Sequence, residues 1–504
     1  MPSSYAKDYY TWRFILEKKT SKKEAIKAYK WTKRKSHKLK KAIRKKVGYL
    51  PQTTKKNATK RDPKNYIIYP ATAAKKSLKK LKKLHKKIKR QGKYSNTLEV
   101  MASDNPFKEL SQQKPSTQCY IFNRVGSKYR KKHFNKAFSQ QQLKQLLQEK
   151  KCDQSIAKIV TTHALQKTKQ SLIFKSQENK LNFQSNFLLA INALEFNEIE
   201  IAKNFLKLAR AKALYQSKFD QIDFWFYLIS KEKKYLNQLL ESHDINIYTL
   251  SARDILKKPY PKVQVPDAPF KEIEGFDMTN PIDWEKLKLK IKDTKTDLKQ
   301  LAQKFNSSET LGIYSHIKEK ESNYKIPYYA MPYPLAMWGF KKERIALLYA
   351  IARQESRLIP ASVSPAYALG MMQIMPFLIK HLAKERKQTI DLNEMFNPYV
   401  AINYANQHLD YLNKWLYNPL LIAYAYNGGI GFTKRTLKSS HLFKEGKYEP
   451  FLSMELIDYP ETREYGKKVL ANYVVYLNLL GTKTRLSHLL NSVKHPAQSD
   501  RFRK

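Results

Sequence analysis

An all-helical chain is predicted, and three observations predict it. Apolar residues recur at three- and four-residue intervals, as in Leu78, Leu81, Leu84 and Ile88. Pairs of apolar segments are divided by short polar turns. Glycine numbers only 13 among 504 residues, which argues against glycine-rich β architecture. An apolar content of 42% and an aromatic content of 12% supply a sizeable core, and they exclude a disordered polyelectrolyte despite a formal charge of +53. Two cysteines exclude a disulfide-dense scaffold and an all-cysteine zinc site. No apolar run reaches the ~18 residues that a bilayer requires. The opening residues show no apolar export core. The expectation is either a cytoplasmic chain or an export segment outside this sequence.

Residues 1–100 form the first expected region. They hold 33 lysines and arginines against 5 acids. Tyr9, Trp12, Phe14 and Ile15, then Ala25, Ala28, Tyr29 and Trp31, fall near helical spacing. Short amphipathic helices with basic outer faces follow. Such charge is either a solvated surface or a footprint for a polyanion.

Residues 101–256 are expected to form an irregular helical superhelix. The run from Phe187 to Ala209 has two apolar faces divided by Asn197-Glu198, a helical hairpin. Phe224–Ile229 and Tyr235–Leu240 read as a second pair. Hairpins that bury only one face tend to stack into a solenoid, and an ordinary bundle is the alternative. Residues 257–335 are expected to connect. Four prolines within 257–269 forbid a continuous helix there, charged helix returns over 281–305, and Pro327, Pro332 and Pro334 precede the last domain. Residues 336–485 are expected to be catalytic, and 486–504 a basic tail.

Within the catalytic region the run Glu343–Ser356 is a helix, wholly apolar from Ile345 to Ala352 but for the Tyr349 hydroxyl. Glu355 shares a face with Leu348, Ile351 and Ala352, so a carboxyl group rides the buried side in the last helical turn. Burial and the negative helix end both favour a protonated carboxyl, as a general acid requires. The competing reading pairs Glu355 with Arg353 or Arg357 on a surface turn. Next comes Ser364-Pro-Ala-Tyr-Ala-Leu-Gly-Met-Met-Gln-Ile-Met-Pro376, where Gly370 permits a tight turn and Pro376 opens a new helix. Met371, Met372 and Met375 beside Gln373 suggest a soft apolar surface. The helix over 421–427 stops at Asn427-Gly428-Gly429, and Glu455 to Tyr465 precede a helix expected over 466–480.

In order and spacing these pieces resemble the soluble lytic transglycosylases, whose catalytic domain is similar to goose-type lysozyme. The motifs are Gln-Glu-Ser at 354–356, Ser364, Gly-Met-Met-Gln-Ile-Met-Pro at 370–376, Ala-Tyr-Asn-Gly-Gly at 425–429, Glu455, Glu-Thr-Arg at 461–463 and Tyr465. The resemblance covers roughly residues 345–481. It implies a superhelical ring before a lysozyme-like domain, with Ile247–Leu250 joining that ring. It implies cleavage of the β-1,4 bond between N-acetylmuramic acid and N-acetylglucosamine in peptidoglycan, leaving a 1,6-anhydro sugar. Glu355 would give a proton to the leaving oxygen and then take one from the C6 hydroxyl. The next acid after Glu355 is Glu385, so no neighbouring carboxylate is supplied locally, whereas ordinary glycosidases use two. By the same resemblance Ser364, Met372, Gln373, Tyr426, Asn427 and Glu455 would line the substrate site. No metal or cofactor is implied. Three positions depart from the family's pattern. Tyr367 stands where glycine is common, Asp458 replaces a common proline, and Gly428-Gly429 replaces Ala-Gly.

The implied compartment is the periplasm. There Cys119 and Cys152 would either close a disulfide or remain thiols. The implied partners are peptidoglycan strands and proteins of wall synthesis or division, with no specific nucleic acid and no transmembrane segment. A goose-type muramidase hydrolysing the same bond and a non-catalytic wall-binding scaffold are the alternatives.

Overall fold

A computed structural model describes residues 3–51 and 64–503, and residues 52–63 of the basic region lie outside the described residues. Helices follow one another throughout, and β pairing among the described residues is confined to isolated bridges. The chain divides into two compact units. The first comprises Met1–Lys55, His243–Lys438 and Glu464–Lys504, and the second comprises Lys56–Ser242 and Ser439–Arg463. These bounds cut across the regions read from composition, because long-range packing, which composition does not register, decides membership.

In the first unit three helices open the chain: Tyr5–Leu16, Lys22–Trp31 and His37–Val47. Ser21 and Glu24 close a capping box on the second, and Ser36 caps the third. Gly48, at φ +90, ends the third in the left-handed conformation. Ile15, Ala25, Tyr29, Leu39, Ala42 and Ile43 form their shared core, while the lysines face outward. The first proline-rich stretch is extended, as expected. Its Gln264 pairs with the second stretch through Gln264 N–Pro327 O (3.0 Å) and Tyr329 N–Gln264 O (2.8 Å). Between the stretches, Pro281–Lys292, Leu298–Lys304 and Leu311–Glu321 enclose a core of Trp284, Leu287, Ile291, Phe305, Ile313 and Ile317. Ile359 and Ala361, just past the Glu355 helix, belong to the same core.

Residues 486–503 pack as structure. Helices Leu486–Val493 and Pro496–Ser499 are followed by Asp500, fully buried and held by Arg503. Arg501 N donates to Trp415 O at 2.9 Å.

In the second unit both expected hairpins are present. Phe183–Glu195 and Ile199–Arg210 meet at left-handed Asn197, and Gln216–Ser230 and Lys233–Leu240 meet at left-handed Lys231. Cys119 and Cys152 are joined in a disulfide and are buried. The 439–463 segment packs here through Phe451 on Phe224 and Tyr448 on Trp225.

Candidate active site

The acid helix runs Lys342–Ser356 and buries Ala346 through Ala352. It ends at Arg357 (φ +58) and Leu358 (φ +65), two consecutive left-handed residues that carry β-carbons. Such a turn needs outside support, and three contacts provide it. Gly312 brings helix Leu311–Glu321 against it, and a β-carbon at Gly312 would press on the carbonyls of Arg357 and Leu358. Glu319, almost fully buried, takes Arg353 Nη2 at 2.6 Å and also pairs with Arg357. Burial alone would raise the Glu319 carboxyl, but the two guanidinium groups outweigh it and hold the carboxyl low. Ser356 Oγ donates to Met371 O at 2.8 Å and accepts from Ile359 N at 3.1 Å. Arg353 and Arg357, the partners that the surface-turn reading offers Glu355, both pair with Glu319.

Glu355 itself is half-buried, and its Oε1 accepts from Tyr465 Oη at 2.7 Å. Tyr465 is 4% exposed. Burial first, and then the charge of Glu355, raise its phenol well above the ordinary value, so it remains a donor. Its helix begins at Pro460, six residues before the expected start, because proline is well suited to a helix N-terminus. Gly466 follows, and a β-carbon there would overlap the Tyr424 ring. Tyr426, on helix Pro419–Gly428, donates from Oη to Met372 O at 2.8 Å. Burial and the charge of Glu355 raise its phenol as well. The His408 ring lies 5.5 Å from that of Tyr426 and is kept neutral by burial, its pKa lowered to about 4.

The loop over 362–374 is a pair of bridged turns, Val363 to Leu369 and Leu369 to Ile374. Ser364 Oγ accepts from Ala366 N (3.2 Å) and Ala368 N (2.9 Å). Gln373, at φ +49, donates from Nε2 to Ser362 O (3.1 Å) and Gly370 O (2.7 Å). Gly370, at φ +76, lies against the Met395 carbonyl, where a β-carbon would collide. Met372 is wholly buried, so its side chain is core and it meets Tyr426 through its backbone. The soft methionine surface expected from the sequence is closed over for Met371 and Met372 by these turns. Asn427 is half-buried in the last turn after Tyr426. Glu455 lies in the second unit, 1% exposed, and its Oε1 accepts from Gln221 Nε2 at 3.0 Å. Arg463 of the Glu-Thr-Arg motif is buried there too, donating to the carbonyls of Glu455 (3.2 Å) and Ile457 (3.0 Å). The structure thus brings Glu355, Met372 and Tyr426 together, with Ser364 and Gln373 shaping the adjoining loop. The motif residue Tyr465 is hydrogen-bonded to Glu355, a contact that the spacing of the motifs does not reveal. Among the described residues no three His, Cys, Asp or Glu groups cluster as a metal site.

Residues 340–448 match the model of the transglycosylase SLT domain. This stretch belongs to the SLT domain family. Two relatives are the soluble lytic murein transglycosylases of Salmonella typhimurium and of Escherichia coli K12. Each is 34% identical over 140 residues, covering 27% of this chain and 21% of the relative. The chain thus aligns with about a fifth of the length of these relatives. Among solved structures, the 70 kDa soluble lytic transglycosylase of Escherichia coli superposes with a TM-score of 0.52 at 18% identity, over 92% of this chain and 79% of that one. The 70 kDa soluble lytic transglycosylase in complex with bulgecin A gives 0.53 at 18% identity, over 96% and 82%. These likenesses extend the shared all-α fold, a helical superhelix with a lysozyme-like SLT domain, well beyond the matched segment.

Proposed function

We propose that this chain is a lytic transglycosylase of peptidoglycan. It cleaves the N-acetylmuramic acid β-1,4 N-acetylglucosamine bond and forms a 1,6-anhydro end. The observation that carries the reading is the Glu355 carboxyl group, set at the end of a buried helix and held on one oxygen by a protonated tyrosine. Glu355 gives its proton to the glycosidic oxygen as the bond from C1 to that oxygen breaks. The carboxylate then takes the proton of the C6 hydroxyl as O6 bonds to C1, so the glutamic acid is regenerated without water. Tyr465 fixes the carboxyl orientation and supports its charge between the two steps. Tyr426 borders the same carboxyl. Ser364, Gln373 and Asn427 would face the sugar, and Met372 and Glu455 would act through the backbone and packing around them. A periplasmic setting agrees with the Cys119–Cys152 disulfide. No helix among the described residues is long and apolar enough to cross a membrane.

Glu355→Gln tests the reading. The variant keeps shape and neutrality, so it should fold, bind glycan strands and lose turnover by about a thousandfold or more. Near wild-type turnover would refute the role of Glu355. Mass spectrometry of digested sacculi separates the two chemistries, because a hydrolysed end is heavier than an anhydro end by one water. Hydrolysed ends alone would establish a muramidase, and unchanged sacculi a binding scaffold.

A further inference from the structure

The loop that carries Ser364 and Gln373 is gripped by the start of the chain. Tyr367 sits at φ +63, a region that bulky side chains avoid, yet its side chain is 1% exposed. A glycine would satisfy that backbone with no help. A tyrosine there needs its surroundings, and the first three helices provide them. The ring packs 5.6 Å from Trp12 and edge-on at 6.2 Å to Tyr9. Its hydroxyl is 2.7 Å from Ser36 Oγ, the same oxygen that caps helix His37–Val47. Lys38 Nζ lies 5.7 Å over the ring and donates to Ala366 O at 2.6 Å. The other flank of the loop is tied as well. Arg13 forms a bidentate pair with Asp391 (3.0 and 2.6 Å), and Tyr9 Oη donates to Asn393 Oδ1 at 3.3 Å. Asp391 caps the short helix Leu392–Phe396, whose Met395 carbonyl abuts Gly370.

These ties converge on a loop that is itself wired to the acid. Met371 O holds Ser356, and Met372 O holds Tyr426. We propose that Tyr367 is a positioning residue, through which the N-terminal helices hold the 362–374 loop in the shape that binds substrate. The inference rests on the reading of Glu355 as the proton-transfer group. It gives the N-terminal helices a part in substrate affinity beyond any general electrostatic attraction for a polyanion.

The test uses the full chain with soluble, uncrosslinked glycan strands as substrate. Tyr367→Gly keeps the backbone conformation and removes the ring and hydroxyl on which the grip centres. It should raise KM about tenfold while leaving the midpoints of the kcat pH profile in place, because Tyr465, which holds Glu355, is not on the loop. Trp12→Ala should raise KM in the same direction, and the double variant should be no worse than Tyr367→Gly, the signature of one shared contact. Tyr367→Phe keeps the ring and should behave within about twofold of wild type. Hydrogen exchange at the Ala368 and Gly370 amides should quicken in Tyr367→Gly and in Trp12→Ala. If Trp12→Ala does not fold, the paired change Ser36→Ala with Lys38→Met removes the polar ties to Tyr367 and Ala366 and spares the core, and the same faster exchange is expected. Unchanged KM in Tyr367→Gly, or unchanged exchange in the N-terminal variants, overturns the proposal. Turnover retained by Glu355→Gln would instead overturn the reaction reading, and the exchange measurement would still decide whether the grip exists.

Discussion

Gly466 has no room for a methyl group, and its neighbour is the tyrosine that holds the acid. A β-carbon would enter the ring of Tyr424, which is 1% exposed and has nowhere to go. Gly466→Ala gains about 1 kcal/mol of helix propensity. Overpacking costs about 1–3 kcal/mol in a rigid core, and this contact is at the severe end. The expected result is a net loss of about 1–2 kcal/mol in denaturant unfolding. Turnover should fall further than stability does, because helix Pro460–Leu479 must shift and carry Tyr465 with it. A variant as stable and active as wild type would show that the two helices have slack. At this scale the sequence showed the acid but not its setting. Spacing placed Glu355 on the buried face of its helix. It was blind to Tyr465, 110 residues away. It was equally blind to Glu319, which draws off both arginines that competed for Glu355. Contacts across such separations leave no local period.

Whole elements were more legible. The two helical hairpins, the extended proline stretch and the helix opening at Pro376 all follow from local rules of period, turn and proline geometry. The basic composition of residues 486–504 does not reveal that Asp500 is fully buried. The cysteine pair was undecidable from sequence and is resolved by proximity. Cys119, on helix Pro115–Arg124, meets Cys152 across 33 residues. A loop of that length restricts the unfolded chain by about 3–4 kcal/mol in the chain-entropy account. Reduction should therefore lower the unfolding free energy of the second unit by about that amount, read from the denaturant midpoint and slope with and without reductant. An unmoved midpoint would mean that packing around the pair, and not the cross-link, sets local stability.

For the molecule as a whole, acid is the destabilising direction. Burial lowers His316, His408 and His441 to about 4, with Arg357 acting further on His316 and His163 on His441. Each binds a proton more readily unfolded than folded. Their stabilising contribution is complete above about pH 6.5 and is lost as pH falls toward about 4. Asp391, held low first by the hydrogen bond from Arg13, adds to the loss at the acid end of that window. Asp8 acts in the opposite sense. Burial raises it to about 6 against the pull of Arg34 and Lys35, so it costs stability as pH rises from about 4 to about 6. Burial raises Asp223 and Asp244 as it does Asp8, and it lowers His133 and His163 as it does the other three histidines. Five histidines stand against three aspartates, and denaturant midpoints measured at about pH 7 and about pH 4.5 should fall at the lower value. A rising midpoint would mean that the buried aspartates dominate. One feature of the chain path reaches beyond stability. The first three helices find their partners at Tyr367, Asp391 and Asn393, and Tyr9 and Asn393 are 384 residues apart. At about 5–20 residues per second, a ribosome takes roughly 20–80 s to make the intervening chain. For that interval the faces of Tyr9 and Trp12 that meet Tyr367 lack their partner, and the dense lysines around them would oppose, by mutual repulsion, association between copies of this chain.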